Sequence, residues 1–117
     1  MNYLYSHYRD TFLVAEMGSA IVGYVVAIPD ELEIHIISIA VADGYRGQGV
    51  GSALMRGIMA IFDTGIPFSI RLEVRESNKG AQRFYMRLGF SVAYTIQYYY
   101  EDGEAAKVMI WRAADGV

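Results

Sequence analysis

The chain predicts an α/β (α+β) fold: one mixed, mostly antiparallel, twisted sheet with a central parallel βαβ unit and helices packed on it. Three observations point there. The run LEIHIISIAVA (Leu32 to Ala42) is almost continuously apolar, as a strand covered on both faces is, and a glycine-rich turn with apolar positions at helical spacing follows it. SIRLEVR (Ser69 to Arg75) alternates Ile70, Leu72 and Val74 with Arg71, Glu73 and Arg75, a strand with two unlike faces. FSVAYTIQYYY and AAKVMIWR, separated by Glu101-Asp102-Gly103-Glu104, close the chain as an antiparallel pair.

Taken in order, TFLVAE (Thr11 to Glu16) and AIVGYVVAI (Ala20 to Ile28) are β-rich runs joined by Met17-Gly18-Ser19, a hairpin. Pro29-Asp30 turns the chain into Leu32 to Ala42. A helix from Val50 carries Leu54, Ile58, Ile61 and Phe62 on one side and stops at Gly65 and Pro67. After Ser69 to Arg75, Ser77 or Asn78 caps a second helix with Ala81, Phe84, Tyr85 and Leu88 on one face and Gly89 at its end. The order β-β-β-α-β-α-β-β makes Leu32 to Ala42 and Ser69 to Arg75 the parallel βαβ pair.

At 117 residues the chain is expected to be one domain, residues 1–117, with a single two-layer core. Hydrophobic residues make up 54%, but no apolar run reaches the roughly eighteen residues a membrane span needs, so no membrane partner is expected. The start MNYLYSHYRD lacks a signal-peptide pattern and cysteine is absent. A cytoplasmic protein without disulfides, thiolate metal sites or a cysteine nucleophile is the expectation. Net charge is -3 and the ten basic residues are scattered, which gives no footprint for nucleic acid. No metal site is expected.

YRGQGVGSALMR (Tyr45 to Arg56) sets Gly47, Gly49 and Gly51 at alternate positions before the first helix. Such a turn lets backbone approach a ligand, and a helix N-terminus offers unpaired N–H groups, which together suit a phosphate. An ordinary tight turn is the plain alternative. A nucleoside triphosphate would want a lysine after the glycines, and none follows. A dinucleotide would want a third glycine where Ser52 or Leu54 stands, and Glu73 lies inside its strand rather than at the end. Coenzyme A is the third candidate.

Arg46-Gly47-Gln48-Gly49-Val50-Gly51 resembles the Q/R-x-x-G-x-G/A signature of the GNAT acetyltransferase superfamily. SIAV before it, LEVRESNKGAQRFYMRLGF and YYYEDGEAAKVM after it are similar to segments of the RimI-like and archaeal protein N-terminal acetyltransferases. The resemblance covers Thr11 to Arg112. It implies a GNAT-like fold with acetyl-CoA held by Ile39, Ala40 and Val41 along the acyl and pantetheine arm, by Arg46, Gly47, Gln48, Gly49, Val50 and Gly51 at the pyrophosphate, and by Asn78 and Tyr85. It implies catalysis by Glu73 as proton acceptor, with His35 as its partner, and by Tyr85 as general acid to the departing thiolate. Tyr99 and Tyr100 are then expected to border the groove for the acceptor's N-terminus. Each has a plainer reading as well. Arg71 and Arg75 make Glu73 a salt-bridge candidate, His35 and Tyr85 fit a core, Asn78 fits a helix cap, and tyrosines favour strands.

Two departures from the pattern stand out. Alanine occupies position 105 where the relatives usually carry aspartate, and few residues precede Thr11, so the usual first strand and helical pair are expected to be missing or shortened. An uncovered sheet edge there favours pairing with another chain, a homodimer. The resemblance implies an N-acetyltransferase working by direct transfer, with a protein or peptide N-terminus as acceptor. An α-amino group, with a pKa of about 7.7–8.0, is far more often neutral at pH 7 than a lysine side chain near about 10.4. A lysine or small-amine acceptor, or a non-catalytic acyl-CoA or partner-binding module, remain the alternatives.

Overall fold

The computed structural model describes residues 3–7 and 12–113. In chain order the elements are β1 (Tyr3–His7), β2 (Phe12–Met17), β3 (Ala20–Asp30), β4 (Glu33–Val41), α1 (Val50–Phe62), β5 (Ser69–Arg75), α2 (Lys79–Arg87), β6 (Ser91–Ile96) and β7 (Ala106–Arg112). The strands form one sheet in the order β1-β2-β3-β4-β5-β7-β6. Every neighbouring pair is antiparallel except β4 and β5, which run parallel with α1 in the crossover. This is the mixed sheet with a central βαβ unit that the sequence predicts.

The start of the chain corrects one expectation. The edge of β2 is covered, because Tyr3–His7 lies antiparallel along it with Leu4 opposite Ala15 and Ser6 opposite Leu13. A short strand therefore stands where the first strand was expected to be missing or shortened, and β2 is not the free edge of the sheet. At the other end, β6 stops at Ile96 instead of running through the tyrosines. Tyr98 has φ 57, in the left-handed region, which no extended strand accommodates, and the chain turns there despite the β propensity of three successive tyrosines.

Alternation decides which side chains face the helices. In β5, Ile70, Leu72 and Val74 are buried while Arg71, Glu73 and Arg75 lie between them on the opposite face. Val50, Leu54, Met55 and Ile58 of α1 join Val25, Ile36, Ile70, Leu72, Tyr85 and Met109 in one core. Leu54 and Ile58 are fully buried, a contribution of about 1.5–3 kcal/mol each. The helix can lie this close because β3 has no side chain at Gly23, where a Cβ would stand 2.9 Å from Val50 Cγ1 and 3.0 Å from the Ala40 carbonyl oxygen. Further along the same pair, β4 carries an extra residue: Val26 pairs with Ser38 and Ala27 with Ile36, leaving Ile37 as a bulge.

Candidate active site

The β4–β5 ladder consists of Glu33 opposite Ser69, Ile34 opposite Ile70 and His35 opposite Arg71, and there it ends. The Ile37 bulge lies just beyond, and a bulge bends its strand. Past this fork a cleft of about 350 Å³ opens, lined by Ile36 to Ile39, Leu72 to Arg75, Asn78, Ala81, Tyr85 and Tyr100. A larger cavity of about 880 Å³ runs on from it along the start of α1, and Ile39, Asn78, Ala81 and Tyr85 belong to both.

At the mouth of the fork stands an ionic cluster. His35 Nε2 lies 2.7 Å from Glu73 Oε1, Arg71 Nη1 donates to Glu73 Oε2 at 2.6 Å, and Arg71 Nε donates to Glu33 Oε1 at 3.0 Å. A carboxylate only accepts, so His35 donates from Nε2 to Glu73. Arg71 Nη1, at 3.4 Å from that same nitrogen, is then a neighbour and not its donor. The side chain of Glu73 is only 9% exposed, against 26% for His35. Glu73 is therefore neither a solvated surface partner nor a lone buried charge, since both its oxygens are engaged. Burial disfavours the Arg71 charge, but its bond to Glu33 and the charges of Glu73 and Glu33 outweigh that and hold the guanidinium above its ordinary value.

Tyr85 is placed on α2 by the cap at its start. Asn78 caps the helix by accepting from Ala81 N at 3.1 Å, so its side chain does the structural job while still lining both cavities. The Tyr85 ring stacks edge-on with Phe84 and Phe90 and is buried. Burial, with a smaller contribution from Tyr100, pushes its phenol up to about 12. Tyr99 and Tyr100 sit on the turn after β6, Tyr99 half-exposed and raised by burial and then by the charge of Glu73. That turn is riveted to β5: Arg75 donates to Asp102 at 2.8 Å and Glu104 at 2.9 Å and lies 4.1 Å over the Tyr100 ring, while Glu104 accepts from Ser77 N at 2.8 Å. The bond from Ser77, then that from Arg75, pulls the Glu104 carboxyl down to about 2. Ala105 is buried directly after this rivet.

The three glycines of the turn do different work. Gly47 and Gly49 have φ 79 and 83, and nothing lies within 4 Å of a Cβ on either. Gly49 is the N-cap of α1 and offers no side-chain cap, and no acidic residue sits in the first turn. The first helical bond runs from Ala53 N to Gly49 O, so the N–H groups of Val50, Gly51 and Ser52 keep no helical acceptor, and all three residues line the larger cavity. Arg46, Arg56 and Arg87 line it too. Unpartnered donors and guanidinium groups around one opening fit a pyrophosphate-bearing ligand such as coenzyme A. Gly51 instead lets α1 meet Phe84 of α2, its Cβ position 3.1 Å from the ring. Gln48 folds back, donating to the Gly44 carbonyl at 2.9 Å, and its side chain stays outside the cavity.

The fold thus brings Glu73, Tyr85 and Tyr100 to one cleft, with His35 bonded to Glu73 at its mouth, and Ile39, Ala40, Val41, Arg46, Gly47, Gly49, Val50, Gly51 and Asn78 to the cavity it joins; Gln48 and Tyr99 line neither. Sequence reasoning missed Arg56, Phe84 and Arg87 around the cavity. Their signal is helical spacing: Ser52 with Arg56, and Gly80 with Phe84 and Arg87, share a face. It also missed the Arg71–Glu33 contact, which joins residues 38 apart and exists only through the β4–β5 register. Among the described residues no group of His, Asp or Glu is arranged to hold a metal ion, and no helix is long and apolar enough to cross a membrane.

Known proteins place this arrangement. Residues 1–90 match the acetyltransferase (GNAT) family. The chain is 42% identical over 91% of its length to an uncharacterized N-acetyltransferase of Methanocaldococcus jannaschii, and covers 69% of that protein. It is 35% identical to an N-alpha-acetyltransferase of Sulfurisphaera tokodaii, over 87% of this chain and 69% of the relative. Among solved structures it superposes on Ard1 of Thermoplasma volcanium with TM-score 0.82 and 33% identity, over 89% of this chain and 71% of that one. A putative streptothricin acetyltransferase of Bacillus anthracis, solved in complex with acetyl coenzyme A, shares the fold with TM-score 0.79 and 25% identity, over 88% of this chain and 62% of that one. With the glycine turn, the forked strands and these likenesses together, the chain belongs to the GNAT acetyltransferase family and is an acetyl-CoA-dependent N-acetyltransferase.

Proposed function

We propose that the acceptor is the α-amino group of a protein or peptide N-terminus, acetylated by direct attack in a ternary complex. The observation that carries this reading is the Glu73–His35 pair, 2.7 Å apart at the fork from which the cleft leads past Tyr85 to the larger cavity. The relative named N-alpha-acetyltransferase supports it. Bound acetyl-CoA supplies the acetyl group as a thioester. Arg46, Gly47, Gly49 and the start of α1 would hold its pyrophosphate, and Ile39 to Val41 would line its path toward the fork. Glu73 takes the proton from the incoming amine, directly or through one water, while the N–H of His35 keeps the carboxylate in place. Only a modest base is needed, since on the order of a tenth of α-amino groups is already neutral at pH 7.

Tyr85 faces the thiol end of the reaction. Burial alters the match of basicities expected from an ordinary phenol. At about 12 the hydroxyl keeps its proton against a thiolate, so Tyr85 stabilises the developing sulfur charge as a hydrogen-bond donor. Tyr99 and Tyr100 border the acceptor's path beside Glu73. The chain contains no cysteine, which fits direct transfer without an acyl-cysteine.

The test is mass spectrometry of products from a mixed panel of N-terminal peptides, lysine peptides and polyamines with acetyl-CoA. Modification at α-amines alone is expected. Modified lysines or polyamines redirect the acceptor assignment, and acetyl-CoA binding without thiol release against any amine points to a non-catalytic module.

A further inference from the structure

We infer that Arg71 is a positioning residue, which holds Glu73 against His35 and, together with Glu33, sets how readily the Glu73–His35 pair takes up a proton. Its bearing on catalysis rests on the reading of Glu73 as proton acceptor; its geometry does not. Arg71 stands opposite His35 in the last pair of the β4–β5 ladder, where the strands are about to separate. From there one guanidinium reaches along its own strand to Glu73 Oε2 at 2.6 Å and across the seam to Glu33 Oε1 at 3.0 Å. The two contacts use different nitrogens, so the group is a rigid bridge between two carboxylates and across the fork. With Oε2 fixed by Arg71, Oε1 is the oxygen left to receive His35.

Several charged or titratable groups face Glu73. Glu33 and His35 come from β4, Arg71 and Arg75 from β5, Tyr85 from α2, and Tyr99 and Tyr100 from the turn after β6. Arg75 is already matched by Asp102 and Glu104. Arg71 is thus the cation in contact with Glu73, and Glu33 is the anion that competes for it. Removing the cation raises the proton affinity of the Glu73–His35 pair, and removing the competing anion lowers it. A residue that merely braces the sheet produces no such pair of opposite effects.

His35 is one of two histidines in the chain, the other being His7, so its imidazole resonances can be followed by NMR titration and assigned with His35→Asn. In the full chain, Arg71→Met is expected to move the His35 midpoint up, and Glu33→Gln to move it down. Arg71→Lys, which keeps the charge but not the fork, should recover part of the shift. Midpoints that stay within error of wild type, or that move in the same direction for Arg71→Met and Glu33→Gln, overturn the inference. Should Arg71→Met fail to fold, Glu33→Gln at a half-exposed position and Arg71→Lys decide the matter by the same readout. Acetyl-transfer rates against pH are measured in parallel: absence of transfer by wild type defeats the proposed function while the NMR midpoints still judge Arg71.

Discussion

A Cβ on Gly51 of α1 would stand 3.1 Å from Cζ of Phe84 on α2, and both residues line the larger cavity. Gly51→Ala gains about 1 kcal/mol in helix propensity and loses about 1–3 kcal/mol to overpacking. The ring is the softer partner and moves toward the cavity. A small fall in Tm with a several-fold weaker Kd for coenzyme A is expected by calorimetry. Gly49→Ala should behave differently, losing roughly 1–2 kcal/mol because its φ of 83 is left-handed, with no crowding. Equal behaviour of the two variants would mean that the turn glycines are interchangeable.

Replacing Glu73 by Gln keeps the shape and removes the proton acceptor. Turnover is expected to fall by roughly 10²–10⁴, with the Kd for acetyl-CoA nearly unchanged. Steady-state rates and calorimetric titration check the two halves separately, and normal turnover takes Glu73 out of the mechanism.

Tyr85 ties the site to alkaline stability. Its phenol is raised from an ordinary 10 to about 12 in the folded protein, so the native state holds this proton more tightly than the unfolded chain. Its contribution is complete below pH 10 and is lost as pH rises toward 12, a loss on the order of 2–3 kcal/mol. Urea unfolding of wild type and Tyr85→Phe across that range should show a steeper decline for wild type. The same variant is expected to lower kcat, and wild-type kcat would leave Tyr85 as core alone.

The acid side depends on the rivet over the last turn. The Glu104 carboxyl is pulled from 4.5 to about 2 by Ser77 and Arg75, so what it contributes is present above pH 4.5 and fades as pH falls through 2. Glu104→Gln should flatten that limb of the acid-unfolding curve followed by circular dichroism. It should also raise KM for the acceptor modestly, because the turn that carries Tyr99 and Tyr100 loses part of its anchor to β5. An acceptor KM equal to wild type would separate the rivet from the groove.

Much of this site was legible because it follows from local pattern. The alternation in SIRLEVR already places Glu73 away from the core, and the glycines before Val50 already mark an open helix start. What escaped depends on contacts that only the folded chain brings together. Tyr3–His7 is a strand because β2 offers it an edge, and residue types alone do not announce that edge. The bond between Arg71 and Glu33 depends on the register of a parallel pair whose crossover is a whole helix. Tyr98 reads as strand by propensity and is overruled by a turn that Gly103 and the Arg75 contacts close. The burial that moves Tyr85 to about 12 comes from tertiary packing, in which the rings of Phe84 and Phe90 close edge-on around the phenol.

The early end of the β4–β5 ladder has a consequence for how the free and loaded enzyme differ in time as well as in shape. Beyond His35 and Arg71, each strand keeps its outer neighbour but has no ladder partner across the fork. Amides that point into the gap therefore lie inside a sheet yet face solvent like those of an edge. Their deuterium uptake is expected to be fast in the free protein and to slow when an extended guest fills the gap, while amides on the outer sides of the same strands stay protected throughout. The forked pair would then carry its own residue-by-residue record of occupancy, readable without any turnover.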